Sequence, residues 1–183
     1  MRVIAGTAGG VRLLTPDGLQ TRPTAERVKE AIFSSLQFEL PGMRVLDLFA
    51  GTGQMGIEAL SRGAKSATFV DCRREAIALV QENLRRTGLA PQTELCCMDY
   101  SAFLHSCRQP YDLILLDPPY AEKFLENALK IITEIDILGK AGIIIAEHPA
   151  EKPLRGDFPG LIPKKERRYG TVLITQLRKA DAP

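Results

Sequence analysis

A carboxylate, two prolines and an aromatic ring follow one another at Asp117, Pro118, Pro119 and Tyr120, directly after the apolar run Leu113, Ile114, Leu115 and Leu116. Four consecutive apolar residues predict a strand buried on both faces, as in a parallel sheet covered by helices. The prolines stop it, because neither can donate a ladder hydrogen bond and Pro119 holds Pro118 in the extended region. A carboxylate, a fixed carbonyl and a ring are therefore expected together at the carboxyl end of a strand, where open α/β sheets bind ligands. The chemistry this suits is the activation of an exocyclic amine on a nucleobase. Such a nitrogen is a poor nucleophile because its lone pair is delocalised into the ring. Hydrogen bonds from its two N–H groups to the Asp117 carboxylate and the Pro118 carbonyl would favour a pyramidal nitrogen, with Tyr120 stacked on the extruded base. Proximity and alignment of this kind can contribute about 7 to 11 kcal/mol. The plainer alternative is a Pro-Pro turn beside a core tyrosine.

A second group lies upstream. Gly51-Thr52-Gly53-Gln54-Met55-Gly56 fits Gly-x-Gly-x-x-Gly between a predicted strand and a predicted helix, the context that gives the pattern meaning. Its glycines let the backbone turn sharply and approach a ligand, although a tight structural turn would need them too. Asp71 ends the next predicted strand and could accept both hydroxyls of a ribose. That pair suits a dinucleotide or S-adenosylmethionine. Asp47 could balance the amino group of a methionine moiety and is out of place beside a pyrophosphate; an acid capping the loop explains it equally well. Asp99 could accept from an adenine amino group or cap the helix that follows it. Phe49, Cys72 and Tyr100 adjoin these acids and are placed with them in the cofactor site, while the apolar setting of Phe49 also suits core packing, as does that of Phe33. Asp47, Asp71, Asp99 and Asp117 thus end, or nearly end, successive strands, which coincidence explains poorly.

The elements that must position these residues alternate. Short hairpin strands are expected at 3–5 and 11–14, around Gly6 to Gly10, with a turn at Pro16-Asp17-Gly18. A helix capped by Thr24 is expected to run to about Leu40 on the stripe Val28, Ala31, Ile32 and Leu36. Strands are predicted at 45–49, 67–70, 94–97, 113–116 and 143–146. Helices between them begin after Gly53, carry Ile77, Val80 and Leu84 up to Gly88, span 101–107, and carry Leu125, Leu129 and Ile132. Residues 161–169 and 171–177 form an expected antiparallel hairpin turning at Gly170, after a loop over 149–163. Repeated β-α-β units imply an α/β fold with a mostly parallel, Rossmann-like sheet and helices on both faces, within one domain over 1–183.

At 183 residues, 45% hydrophobic and 25% charged, the composition is that of a globular protein and excludes disorder, collagen and coiled coil. No run is long enough for a bilayer span and the amino end lacks a signal-peptide core, so a cytoplasmic protein is expected. Cys72, Cys96, Cys97 and Cys107 have no Cys-x-x-Cys spacing, and only His105 and His148 could join them, which favours reduced thiols over zinc or disulfides. Net charge is only +2, so clustering matters more than the total: Arg12, Arg22, Arg27 and Lys29 near one end, Lys164, Lys165, Arg167 and Arg168 near the other. Either cluster alone suits a solvated face; two flanking a site suit a phosphate backbone.

The set Asp47, Phe49, Ala50, Gly51, Thr52, Gly53, Asp71, Asp99 and Asp117 to Tyr120 resembles the class I S-adenosylmethionine-dependent methyltransferases that modify amino groups. Arg22-Pro23-Thr24, Arg27 to Phe33 and Gly56 to Ala64 are similar, more specifically, to the RsmD family. That resemblance implies methyl transfer to a guanine N2 of small-subunit (16S) ribosomal RNA, in a subunit or an assembly intermediate, by a monomeric enzyme. It implies Asp117 to Tyr120 as catalytic and Asp47, Gly51, Gly53, Asp71 and Asp99 as cofactor-binding. The amino-terminal segment 1–22, with Arg12, Arg22, Thr24 and Arg27, would face the RNA. Thr52 stands where that loop commonly has serine. His148-Pro149 has no assigned role. A DNA adenine-N6 methyltransferase would share the Asp-Pro-Pro-Tyr tip, but no segment is long enough for a sequence-reading domain. A nicotinamide-dependent oxidoreductase rests only on the glycine loop and Asp71 and leaves Asp117 to Tyr120 unexplained.

Overall fold

The computed structural model describes residues 1–16, 23–120, 123–152, 154, 156 and 158–180. In chain order the elements are α1 (Pro23–Ser35), β1 (Arg44–Asp47), α2 (Gln54–Ser61), β2 (Ser66–Asp71), α3 (Arg74–Thr87), β3 (Thr93–Cys97), α4 (Tyr100–Ser106), β4 (Tyr111–Leu116), α5 (Phe124–Ile135), β5 (Leu138–Pro149), β6 (Leu161–Tyr169) and β7 (Val172–Lys179). The strands form a seven-stranded sheet in the order β3-β2-β1-β4-β5-β7-β6. β1 to β5 are parallel, and β7 and β6 add antiparallel at the β5 side, as the alternation and the terminal hairpin predicted.

Strand alternation sorts the core into two layers. Val45, Ala67, Phe69, Leu113, Leu115, Ile143 and Ile145 pack under the amino-terminal segment, α1, α2 and α3. Leu46, Val70, Ile114, Leu116, Ile144 and Ala146 pack under α4 and α5. Period two then places Asp47, Asp71, Asp117 and Glu147 toward the α1 and α2 face, all at the carboxyl ends of their strands.

Three expectations change. The amino-terminal hairpin is a loop with a single bridge, Arg2 to Arg12, supported by hydrogen bonds from Val3 N to Val11 O (3.0 Å) and from Leu13 N to Met1 O (3.1 Å). It is held from outside: buried Glu58 on α2 accepts Ile4 N (2.7 Å) and Ala5 N (3.1 Å), and Ser61 Oγ accepts Ala8 N (3.0 Å) and donates to Ala5 O (2.6 Å). Gly6 (φ 87°) passes so close to α2 that a Cβ there would fall 1.8 Å from Ser61 O. The first helix starts at Pro23, where the missing N–H goes unneeded, so Thr24 lies inside its first turn instead of capping it. It ends at Ser35, after which Glu39 N and Leu40 N both donate to Leu36 O; this tighter turn buries Leu36 and Leu40 and leaves Phe38 91% exposed. β5 runs past Ala146 to Pro149, which extends the sheet into the predicted loop.

Candidate active site

β1 feeds the glycine loop. Gly51 (φ 55°) and Gly53 (φ 75°) take left-handed backbone that other residues rarely adopt, so the chain reverses into α2 within a few residues. A Cβ on Gly51 would meet nothing within 4 Å, so open space lies over the loop. Gly56 is required by packing instead: a Cβ there would fall 2.3 Å from the Phe69 ring, and its N–H donates to Asp47 Oδ2 at 2.9 Å. Asp47 is 3% exposed, and burial, with the Asp71 charge adding to it against the Gly56 hydrogen bond, raises its carboxyl to about 7. Beside it, the buried Gln54 Oε1 has no hydrogen-bond partner among the described residues.

Asp71 organises the same loop. Its Oδ2 accepts Gly51 N at 3.0 Å, while Arg73 donates from its backbone N (3.0 Å), Nε (3.2 Å) and Nη2 (3.3 Å). Burial pushes this carboxyl up, but the Arg73 and Gly51 hydrogen bonds outweigh it and hold it below the ordinary carboxylate range. Asp99 caps α4, its Oδ1 accepting Ser101 N (2.9 Å) and Ala102 N (3.2 Å). Phe49, Tyr100 and Phe124 form an aromatic trio with centroids 5.2 to 6.3 Å apart, in which Phe49 and Tyr100 pack against the core layer under α4 and α5. Cys72 is exposed next to Asp71, with its carbonyl facing the Cys97 thiol.

Asp117 follows β4 directly. Its carboxyl stands in a concavity open to solvent; the cavity walls desolvate it, the Glu147 and Asp47 charges repel it, and all three raise its proton affinity. Pro118 is buried, Pro119 exposed, and Tyr120 44% exposed. Tyr120 donates its hydroxyl to Glu147 Oε1 at 2.7 Å. Asp47, Gln54, Asp117, Tyr120 and Glu147 line a cavity of 440 Å³ whose far wall is Tyr169, Gly170 and Thr171 at the β6–β7 turn. The sheet thus brings together Asp47, Asp71, the glycine loop and Asp117 to Tyr120, with Asp99, Cys72 and Tyr100 along one margin. Arg12 and Arg27 are exposed. Arg22, and the side chain of Thr24, lie outside the described residues.

Two residues of the cavity wall escaped the sequence reading. Glu147 follows an apolar run just as Asp117 does, and that signal could have found it. Lys29 looked like part of a basic face, yet it is 1% exposed, with Nζ donating to Arg2 O at 2.6 Å and lying 3.5 Å from Glu58. His148 is structural: it points to the opposite face, its Nε2 paired with Thr175 Oγ1 at 2.9 Å.

A parallel sheet with an antiparallel terminal hairpin, a glycine turn after β1 and acids at the strand ends defines a class I methyltransferase. The chain belongs to the family described as Conserved hypothetical protein 95, which matches residues 1–178, and it is an RsmD-family methyltransferase. YlbH of Bacillus subtilis (strain 168) is 38% identical over 182 residues, covering 98% of this chain and 99% of that one. Ribosomal RNA small subunit methyltransferase D of Escherichia coli (strain K12) is 31% identical, with coverages of 84% and 77%. The solved structure of yhhF from Escherichia coli superposes with a TM-score of 0.90 at 27% identity, covering 100% of this chain and 99% of that one.

Proposed function

We propose that this enzyme transfers the methyl group of S-adenosylmethionine to the N2 amine of a guanine in 16S ribosomal RNA, within a small subunit or its assembly intermediate, as a cytoplasmic monomer in which all of 1–183 forms one catalytic domain. The observation that carries the reading is the cavity that sets Asp117 and Tyr120 beside Asp47 and Gln54, at the start of α2.

The residues present fit the cofactor. Open space over Gly51, the unpartnered Gln54 Oε1 and a buried Asp47 carboxyl form a pocket for a ligand bearing a cationic amino group. Asp47 would hold that amino group, Asp71 the ribose hydroxyls once the exposed Arg73 side chain swings away, and Asp99 the adenine amine through the oxygen not used in capping α4. Phe49, Cys72 and Tyr100 would flank the adenosine, and Gly51 and Gly53 would let the backbone close on it. When bound, S-adenosylmethionine supplies a methyl group on a sulfonium.

The chain's own part is to hold the acceptor. Asp117 and the Pro118 carbonyl take the two N–H groups of the amine, Pro119 keeps that carbonyl rigid, and the Tyr120 ring stacks on the base. Asp117 need not act as a base, because the methylated ammonium is acidic enough to lose its proton to water. Arg12, Arg22, Thr24 and Arg27 face the RNA backbone.

Labelled methyl transfer to unmodified small subunits tests this. The wild-type protein should yield N2-methylguanosine, and Asp117→Ala should lower the rate by at least about 10³ while leaving S-adenosylhomocysteine binding intact. Undiminished transfer by Asp117→Ala would refute the assignment.

A further inference from the structure

The Asp-Pro-Pro-Tyr tip grips any exocyclic amine, so it cannot by itself tell guanine from adenine or cytosine. Something else in the cavity must. β4 and β5 pair in parallel with Leu116 opposite Ala146, so one step further Asp117 stands beside Glu147, about 5 Å away across the ladder. Glu147 lines the same cavity and fixes the ring of the tip, accepting the Tyr120 hydroxyl on Oε1 at 2.7 Å. Lys29, which also lines the cavity, is committed to Glu58 and the Arg2 carbonyl and does not neutralise it. A second carboxylate is therefore presented to the acceptor base with one oxygen, Oε2, left without a donor among the described residues.

We infer that Glu147 is the specificity-determining residue of the acceptor pocket, its carboxylate accepting the N1–H of guanine while Asp117 and Pro118 hold the neighbouring N2 amine. This rests on the reading of the cavity as an amine-methylation site. Guanine has N1–H and N2–H donors side by side on its Watson–Crick edge, and two adjacent carboxylates match that pair. Adenine N1 and cytosine N3 carry a lone pair next to their amine, which a carboxylate repels. Burial pushes the Glu147 carboxyl up, and the Tyr120 hydroxyl donating to Oε1 opposes that push by favouring the carboxylate that can accept.

The test changes the edge of the acceptor base. 2-Aminopurine keeps the N2 amine but lacks the guanine O6 and, with it, the N1 proton, so a lone pair stands at N1. Small subunits are reassembled around RNA with guanine or 2-aminopurine at the methylated position, and kcat/KM is measured for wild type and Glu147→Gln. Wild type should prefer guanine by about 100-fold. Glu147→Gln should lose roughly 10- to 100-fold on guanine, by the same measure, and should abolish or invert the preference, because its amide can donate to N1. A residue that merely supported the fold would lower both substrates equally. A wild-type ratio near one overturns the inference whether or not the variant folds, and so does a folded Glu147→Gln enzyme that keeps the wild-type ratio. If wild type methylates no small-subunit guanine, the functional reading itself falls; if it does so with no preference over 2-aminopurine, only the role of Glu147 falls.

Discussion

In the proposed cofactor site, Asp47 would serve binding at a cost to the empty protein. Its carboxyl ionises near 3.8 in an ordinary setting and near 7 in the fold. A raised carboxyl contributes stability that is complete below about 3.8 and is lost as the pH rises through about 7. At pH 8 the ligand-free enzyme therefore carries a buried charge awaiting a cation. Asp47→Asn should stabilise the ligand-free enzyme at pH 8 by on the order of 1 to 3 kcal/mol, seen as a raised unfolding midpoint, and should weaken S-adenosylhomocysteine binding at least tenfold. Scanning calorimetry and titration calorimetry read the two effects. In wild type, affinity should rise as pH increases from 6 to 7 and level off above, since the bound form needs the carboxylate; a flat profile would remove Asp47 from the amino-group site. The four acids at strand ends were legible because each interrupts or follows an apolar run. Their hydrogen bonds were not: that Asp71 braces Gly51 and Asp99 caps α4 depends on neighbours brought in by the turns.

At the scale of elements, the alternation of runs and stripes was enough for the five parallel strands, their helices and the terminal hairpin. The amino-terminal segment was legible only in part, because periodicity reports a segment's own pairing, here the Arg2 to Arg12 bridge. Its backbone is also satisfied by Glu58 and Ser61, more than fifty residues away. The same anchor explains why Lys29, Glu58, Ser61 and Arg62 stand in the two stretches that carry the family resemblance: Glu58 takes Lys29 on one side and Arg62 Nε, at 2.7 Å, on the other. Glu58→Gln leaves the buried Lys29 without its charge and should cost about 3 to 5 kcal/mol in denaturant unfolding. The amides of Ile4 and Ala5 should lose hydrogen-exchange protection well before those of β1, which would identify local undocking of the segment. Equal loss across both regions would mean that the cluster supports the whole core instead.

Across the whole molecule the small net charge conceals an uneven surface. Lys165 and Arg167 on β6 line a shallow groove with Ala31, Ile32 and Tyr169, and Tyr169 also walls the cavity that holds Asp117. A strand-alternating pair of cations thus leads into the site from the sheet edge. Replacing both by alanine should reduce the slope of log affinity against log salt for RNA by about 1 to 2, at roughly 0.7 to 0.9 for each phosphate no longer neutralised. An unchanged slope would mean that the RNA approaches elsewhere. The sequence showed these cations as a cluster but not their face, because the bulge between Pro163 and Lys165 resets the strand's parity.

The docking of the amino-terminal loop also fixes an order of events in folding. Residues 3–14 bond to Glu58, Ser61 and Asn83, all of which follow them in the chain. During synthesis this segment must wait for α2 and α3 before it has anything to close upon, so its contacts carry a large loop-closure entropy and form late. Arg12, and the Arg2 carbonyl that receives Lys29, are therefore expected to reach their places after the sheet's first crossover has formed beneath them.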